Sequence, residues 1–298
     1  MNKFNIIIVG VGEMGFAHLS SFVKNGKGNL FLVEKNPKRR KEIKKYLSNK
    51  YKNFCLKSSI PKKKYFHFAI IATSSNERYF VTKSLLSNNK IKFLFLEKFL
   101  FNKINEYKII DKIIKKKKVK TYVDVWSKNF LNKIKANTKQ NHDLKINVEL
   151  SKNSILTNLI HFYDIFREFN GNNITFNFNN LKLKNNNSYA DGHGEIVLNG
   201  SKNNEMIITA KKKMSTFIIN FNNLKEYEVD EKIICKNTNK VIKFPLASRT
   251  TASFFNNLNK PNNRDSSLFF PNYKTASLHS QKILNELKNY YKRDIKIK

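Results

Sequence analysis

Gly10-Val11-Gly12-Glu13-Met14-Gly15 follows an apolar run, Phe4 to Val9, and opens a helix-like segment. At a strand-to-helix junction each glycine of a Gly-x-Gly-x-x-Gly run has a mechanical task. Gly10 permits the tight turn, Gly12 lets backbone N–H groups approach a pyrophosphate, and Gly15 lets the helix pack on its strand. The helix that begins near Met14 presents its unpaired N–H groups and positive end to such an anion. Glu34 lies 19 residues beyond Gly15, at the end of the next apolar run, where a carboxylate accepts hydrogen bonds from ribose hydroxyls. Its charge would repel a 2′-phosphate, so the expected cofactor is NAD. Lys35, Arg39 and Arg40 follow directly and keep NADP as the alternative.

Two further groups stand where buried strands end. Ala72-Thr73-Ser74-Ser75 closes one such strand, so Thr73 and Ser74 are expected to line the cofactor with backbone and hydroxyl groups. The same serines, followed by Glu77, also read as an ordinary helix cap. Glu97-Lys98 closes the next buried strand; a lysine there can polarise a hydroxyl or carbonyl. Later in the chain His161 and Asp164, three apart in a helical pattern, share a helix face and could address one cleft. A lone helical histidine is more often simply a packed or surface residue.

The elements that must hold these groups alternate strand and helix through the first 125 residues, the pattern of a parallel sheet covered by helices. Beyond Trp126 a polar helix, a strand Leu144 to Leu150 and a helix Ser154 to Phe169 lead into strand runs separated by Asn-rich turns. Those runs, near Ile174, Gly194, Met206 and Thr216, suggest an open, mostly antiparallel sheet. Asn185-Asn186-Asn187 reads as a loop, and Thr275 to Tyr291 as a closing amphipathic helix. The expected fold is α/β: a doubly wound domain over 1–125, then an α+β domain over 126–298.

Composition narrows the partners. Forty per cent hydrophobic residues over 298 positions supply packed cores, and the length suits two of them. The net charge of +35 invites a polyanion, but it is almost all lysine, scattered through every segment, rather than arginine forks. A solvated basic surface without a specific nucleic-acid site is expected. Lys115 to Lys118 fits a helix C-terminus favoured by the macrodipole. Cys55 and Cys235 make neither a metal motif nor a disulfide framework, and no metal is expected. No apolar stretch approaches a membrane span, so a cytoplasmic protein without membrane insertion is the expectation.

Taken together, these residues resemble the Gfo/Idh/MocA family of NAD(P)-dependent sugar and cyclitol oxidoreductases. Gly10 to His18 is similar to that family's extended glycine motif, Ala72-Thr73 to its Ala-Thr-Pro stretch, Glu97-Lys98 to its Glu-Lys-Pro motif, and Ser154 to Asp164 to its His-x-x-Asp helix. The resemblance implies a Rossmann domain followed by a domain whose open sheet mediates homo-oligomers. It also implies a sugar or sugar-nucleotide substrate, with Lys98 and His161 as catalytic residues. Gly10, Gly12, Glu13, Met14, Gly15, Glu34, Thr73, Ser74 and Glu97 form the expected cofactor set. The chain departs from the family pattern at Ser74, Phe99 and Arg78, the last standing where histidine is common. Thr157 replaces the acidic residue four positions before His161, which leaves proton transfer to His161 and Lys98 with Asn158 or Asp164 orienting substrate. The same departures fit a catalytically silent dinucleotide-binding sensor or partner protein.

Overall fold

A computed structural model describes all residues except 1–3, 26–27, 137–142, 152–154, 187–188, 212–215, 223, 230–231, 245–246, 260–269, 293–294, 296 and 298. It divides into two compact units, 1–124 with 247–278 and 125–246 with 279–298. The contiguous division at 125/126 read from the sequence therefore gives way to an interleaved one.

In the first unit, β1 (Asn5–Val9), β2 (Asn29–Val33), β3 (Phe54–Lys57), β4 (Tyr65–Ile71), β5 (Lys90–Leu96) and β6 (Lys120–Val123) form a six-stranded sheet of order β3-β2-β1-β4-β5-β6. Every pairing is parallel, so both faces must be covered, and Ile6, Ile7, Ile8, Phe68, Ile70 and Leu94 are all fully buried. The order reverses between β1 and β4, which opens a crevice at the strands' carboxyl ends, where Gly10 and Thr73 sit.

Local chemistry sets the helices α1 (Glu13–Asn25), α2 (Pro37–Leu47), α3 (Ser75–Asn88) and α4 (Ile104–Lys117). Asn36 caps α2 by accepting from the N–H groups of Lys38 and Arg39, with Pro37 in the first turn. Glu106 holds the start of α4 by accepting from the N–H groups of Asn102 and Lys103 at 3.2 Å. The lysine run ends the same helix, with Lys118 in the left-handed conformation (φ 53°) donating its N–H to the last carbonyls.

The first unit is completed from far along the chain by α7 (Ala247–Leu258). Its Phe254 and Phe255 join Phe22, Phe68, Phe95 and Phe270 in one core. Ala252 N–H donates to Ser21 Oγ at 3.1 Å. Pro271 and Asn272 then run along β6, with Pro271 O accepting from Val123 N–H at 3.1 Å. The aromatic spacing of this segment closes a core that the first 125 residues leave open.

In the second unit, α5 (Ser127–Ile134) and α6 (Ile155–Asn170) accompany an eight-stranded sheet. Its strands are β7 (Lys145–Ser151), β8 (Thr175–Asn186), β9 (Tyr189–Asn199), β10 (Glu205–Lys211), β11 (Phe217–Phe221), β12 (Lys225–Val229), β13 (Lys232–Cys235) and β14 (Lys240–Lys243). The order is β14-β13-β12-β11-β7-β10-β9-β8, antiparallel except for β7 with β10. β7 alternates buried Ile146, Val148 and Leu150 with partly buried Asn147, Glu149 and Ser151, as one covered face requires. Asn185 and Asn186, expected in a loop, pair instead with Ala190 and Tyr189; Asn187 and Ser154 lie outside the described residues. A final helix, α8 (Tyr273–Tyr291), passes from the first unit to the second after Leu278.

Candidate dinucleotide site and the groups around it

Gly10, Gly12, Glu34, Thr73 and Ser74 line a cavity of about 660 Å³ at the β1/β4 switch point. Gly10 has a φ of +82°, and a Cβ there would meet Thr73 at 2.9 Å. Gly15 is tighter: its Cβ would fall 1.9 Å from Gly10 O, so the helix can start beneath the turn only without a side chain. At Gly12 a Cβ would meet nothing within 4 Å and would project into open space beside the first turn of α1. A phosphate needs that space to reach the turn's N–H groups, and a side chain would fill it.

Glu34 ties the end of β2 to this loop. Its Oε2 accepts from Val11 N–H at 2.8 Å and its Oε1 from Asn36 N–H at 2.9 Å. The cations that could have served a 2′-phosphate have other partners. Arg39 Nε donates to Val11 O at 2.9 Å, and Arg40 Nη1 donates to the carbonyls of Glu34 and Lys35 at 2.9 and 2.7 Å. Lys35 pairs with Glu77 at 2.8 Å, an exposed contact. Glu34 lines the cavity while both guanidinium groups are drawn to carbonyls, an arrangement that fits NAD.

Other expected cofactor residues lie outside the cavity. Met14 is exposed, and Glu13 lines a neighbouring hollow with Phe16, Lys24 and Arg249. Glu97 is only 3% exposed and is enclosed beneath the loop after β5, because His18 on α1 reaches it from below. The cavity also takes in Ser58, Ser59 and Lys62 beyond β3 and Phe80 on α3, which the motif reading did not single out. The signal that finds them is topological: β3 ends on the same sheet edge as β1, β2 and β4.

Lys98 sits partly buried at the end of β5, in a turn held from several sides. The Lys98–Phe99 peptide is cis, and Phe99, Leu100 and Phe101 are fully buried. Tyr107 donates its hydroxyl to Phe101 O at 2.7 Å, and Asn102 Nδ2 reaches Ser75 Oγ at 3.0 Å. Arg78, 3% exposed, donates to both Phe99 O and Thr73 O. One guanidinium thus joins the cavity's Thr73 loop to the Lys98 turn, a role that the departure from histidine at this position did not reveal.

Beneath Lys98 lies a closed polar cluster. His18 Nε2 stands 2.8 Å from Glu97 Oε1, and its Nδ1 stands 2.6 Å from Thr251 Oγ1 on α7. Thr251 donates its hydroxyl proton to Ser248 O at 3.1 Å, so His18 Nδ1 is the donor to Thr251. Asp124 is 5% exposed at the end of β6, and side-chain N and O atoms of His18, Glu97 and Asp124 all lie within 4.8 Å of one another. Burial pushes the Asp124 carboxyl well above the usual carboxylate range, and the Glu97 charge and hydrogen bond add to this. Burial also pushes Glu97 upward, but the hydrogen bond from His18 and the charges of His18, Arg78 and Lys98 together hold it below its ordinary value.

In the second unit, the expected groups on α6 are enclosed. His161 is 1% exposed and stacks on Trp126, ring centres 4.6 Å apart and 28° from parallel. Asp164, also 1% exposed, accepts from the Ser127 hydroxyl and pairs with His279 Nδ1 at 2.8 Å. Leu159 through Phe166 are all buried, so spacing by three along α6 marks a common face inside the unit. Asn158 and Thr157 are partly buried neighbours, Asn158 Nδ2 lying 3.5 Å from Thr157 Oγ1.

Comparison with known proteins agrees with this geometry. Residues 4–125 match the Gfo/Idh/MocA family, described as "Oxidoreductase family, NAD-binding Rossmann fold". No curated protein matches the chain by sequence. Among solved structures, a dehydrogenase (MviM) from Clostridium difficile is 13% identical, with TM-score 0.68 over 96% of this chain and 99% of that one. UDP-N-acetylglucosamine 3-dehydrogenase GnnA from Acidithiobacillus ferrooxidans is 11% identical, with TM-score 0.64 over 97% and 99%. A super-repressor mutant of Gal80p from Saccharomyces cerevisiae is 13% identical, with TM-score 0.65 over 98% and 97%. At such identities the likeness establishes the fold.

Proposed function

We propose, from the membership of residues 4–125 in the NAD-binding Gfo/Idh/MocA oxidoreductases, that the chain oxidises or reduces a secondary alcohol or ketone of a sugar or sugar nucleotide. The nicotinamide of the cofactor, when bound, supplies the hydride acceptor or donor. The open space at Gly12 is the observation that carries the reading, since a Cβ at that position would meet nothing where a pyrophosphate needs room. Gly10, Gly12 and the first turn of α1 hold the phosphates, Glu34 orients the ribose, and Thr73 and Ser74 line the cavity. Lys98 holds the reacting oxygen and moves its proton, and His161 serves as a second acid or base. Asn158 orients substrate, while Asp164 fixes α6 through Ser127 and His279. The open face of the eight-stranded sheet forms a homo-oligomer. Absorbance of NADH at each of a panel of sugars and sugar nucleotides tests the reading. Turnover that Lys98→Ala abolishes supports it, and NADH binding without turnover on any substrate removes the sugar reaction.

A second reading rests on Thr157, which stands where the family pattern has an acidic residue, and on the enclosure of His161. In it the chain binds the dinucleotide as a sensor or partner without turnover. Restoring the acid with Thr157→Asp separates the two: gained turnover favours the enzyme.

A further inference from the structure

We propose that the hollow between α1, α2 and α7 is an effector site for a small phosphate ester with an aromatic body, and that its occupant weakens dinucleotide binding through Arg39. The inference rests on the reading of the β1/β4 cavity as the dinucleotide site. The hollow measures about 590 Å³, the size of a small-molecule pocket, and its lining lies wholly within the first unit. Three cations line it from three helices, Lys24 of α1, Arg39 of α2 and Arg249 of α7, against one acid, Glu13. Only seven residues of the chain are arginine, so two of them around one hollow differ from the scattered lysine surface. Arginine presents the forked donors that a phosphate accepts, where a surface lysine presents a point charge. Ser20 and Tyr46 add hydroxyls to the wall, with Tyr46 Oη donating to Ser20 Oγ at 3.3 Å. The partly buried rings of Phe16 and Tyr46 lie 4.7 Å apart, and the Arg39 guanidinium stands 4.8 Å over Phe16. Cations and hydroxyls thus suit the phosphate, and the two rings suit an aromatic body.

One residue, Val11, connects this hollow to the dinucleotide cavity. Its N–H donates to Glu34 Oε2 at 2.8 Å, and Glu34 lines the cavity. Its carbonyl accepts from Arg39 Nε at 2.9 Å, and Arg39 lines the hollow. Val11 stands between Gly10 and Gly12, so whatever releases its carbonyl loosens the turn that receives the pyrophosphate. Arg39 Nη1 also pairs with Glu42 at 2.6 Å, an exposed contact. An anionic oxygen is a stronger acceptor than a neutral carbonyl, so a phosphate in the hollow draws Arg39 away from Val11. Linkage makes the effect reciprocal: the bound dinucleotide lowers the affinity for the anion by the same factor.

Calorimetry of phenyl phosphate into the full-length chain without cofactor tests the site, at an ionic strength held constant with potassium chloride. Saturable binding is expected, weakened about tenfold in Arg249→Gln by loss of one charged hydrogen bond. Arg249 is exposed and outside the lining of the dinucleotide cavity, so the variant should bind NADH alone as the wild type does. Where Arg249→Gln does not fold, Lys24→Gln, at another exposed position, takes its place. No saturable binding to the wild type, or equal binding to wild type and folded variant, overturns the site. Inorganic phosphate should bind more weakly than phenyl phosphate, and equal affinity overturns the aromatic part of the assignment. NADH titrated by its fluorescence with and without saturating phenyl phosphate tests the coupling. Affinity for NADH should fall by about fivefold or more in the wild type and be unaffected in Arg249→Gln at the same phenyl phosphate concentration. Unchanged NADH affinity in the wild type overturns the coupling, and so does a loss that persists in the variant, which would mean direct competition at the glycine loop. If NADH binds neither protein, the dinucleotide reading and the coupling fall together, while calorimetry still decides the anion site.

Discussion

At the scale of single residues, Gly12 and Gly15 make opposite demands. Gly15→Ala would force an atom against Gly10 O, and should lower the melting temperature as well as cofactor affinity. Gly12→Val meets no protein atom at its Cβ, and should leave the melting temperature unchanged while weakening NADH binding by about tenfold or more, roughly the cost of one lost charged hydrogen bond. Calorimetric binding alongside thermal melting separates the two. Arg78→Met should likewise weaken binding, because it releases both the Thr73 loop and the Lys98 turn, with Arg78→Lys recovering only part of the loss. The glycine loop, Glu34 and Thr73 were legible in the sequence as residues at the crevice because strand ends on a parallel sheet fix which residues reach it. Arg78 and Asp124 were not, because their roles depend on carbonyl and carboxyl groups brought close only by the assembled sheet. His161 was legible as a position but not as an environment: its ring stacks on Trp126, and nothing in a helical repeat announces that. Since Trp126 is the sole tryptophan and stacks on this ring, its emission should change in a folded His161→Leu variant, read by steady-state fluorescence.

At the scale of elements, β1 and the start of α1 followed from an apolar run and the glycine loop, and the parallel sheet followed from the alternation of strand and helix. What local patterning could not show was that α7 returns to pack on α1, since only the tertiary core decides where Phe254 and Phe255 go. The fragment 1–125 alone should therefore aggregate or remain unfolded, as judged by circular dichroism. Phe255→Ala in the full chain should cost about 3–5 kcal/mol in chemical denaturation. The buried carboxyl pair couples these elements to pH with opposite signs. Glu97, whose carboxyl is held below its ordinary value, contributes stability present above the unfolded value and lost as pH falls through its folded one. Asp124, raised well above its ordinary value, contributes stability present at low pH and lost as pH rises through its folded value. Denaturation midpoints across pH should thus lose their alkaline-side decline in Asp124→Asn.

At the scale of the whole molecule, two units share one chain by exchange of segments, and each has its own sheet. Among the described residues no helix is long and apolar enough to cross a membrane. The +35 charge is spread as a lysine surface, so any binding to polyanions should vanish at moderate salt and should not respond to Gly12 or Glu34 substitution. Every functional assignment to this chain requires dinucleotide binding at the glycine loop, and a titration of NADH by its fluorescence into wild-type and Gly12→Val protein tests that most directly. Saturable binding to the wild type, weakened in a folded Gly12→Val, is the predicted result. No binding to the folded wild type, or equal binding to both proteins, would contradict it.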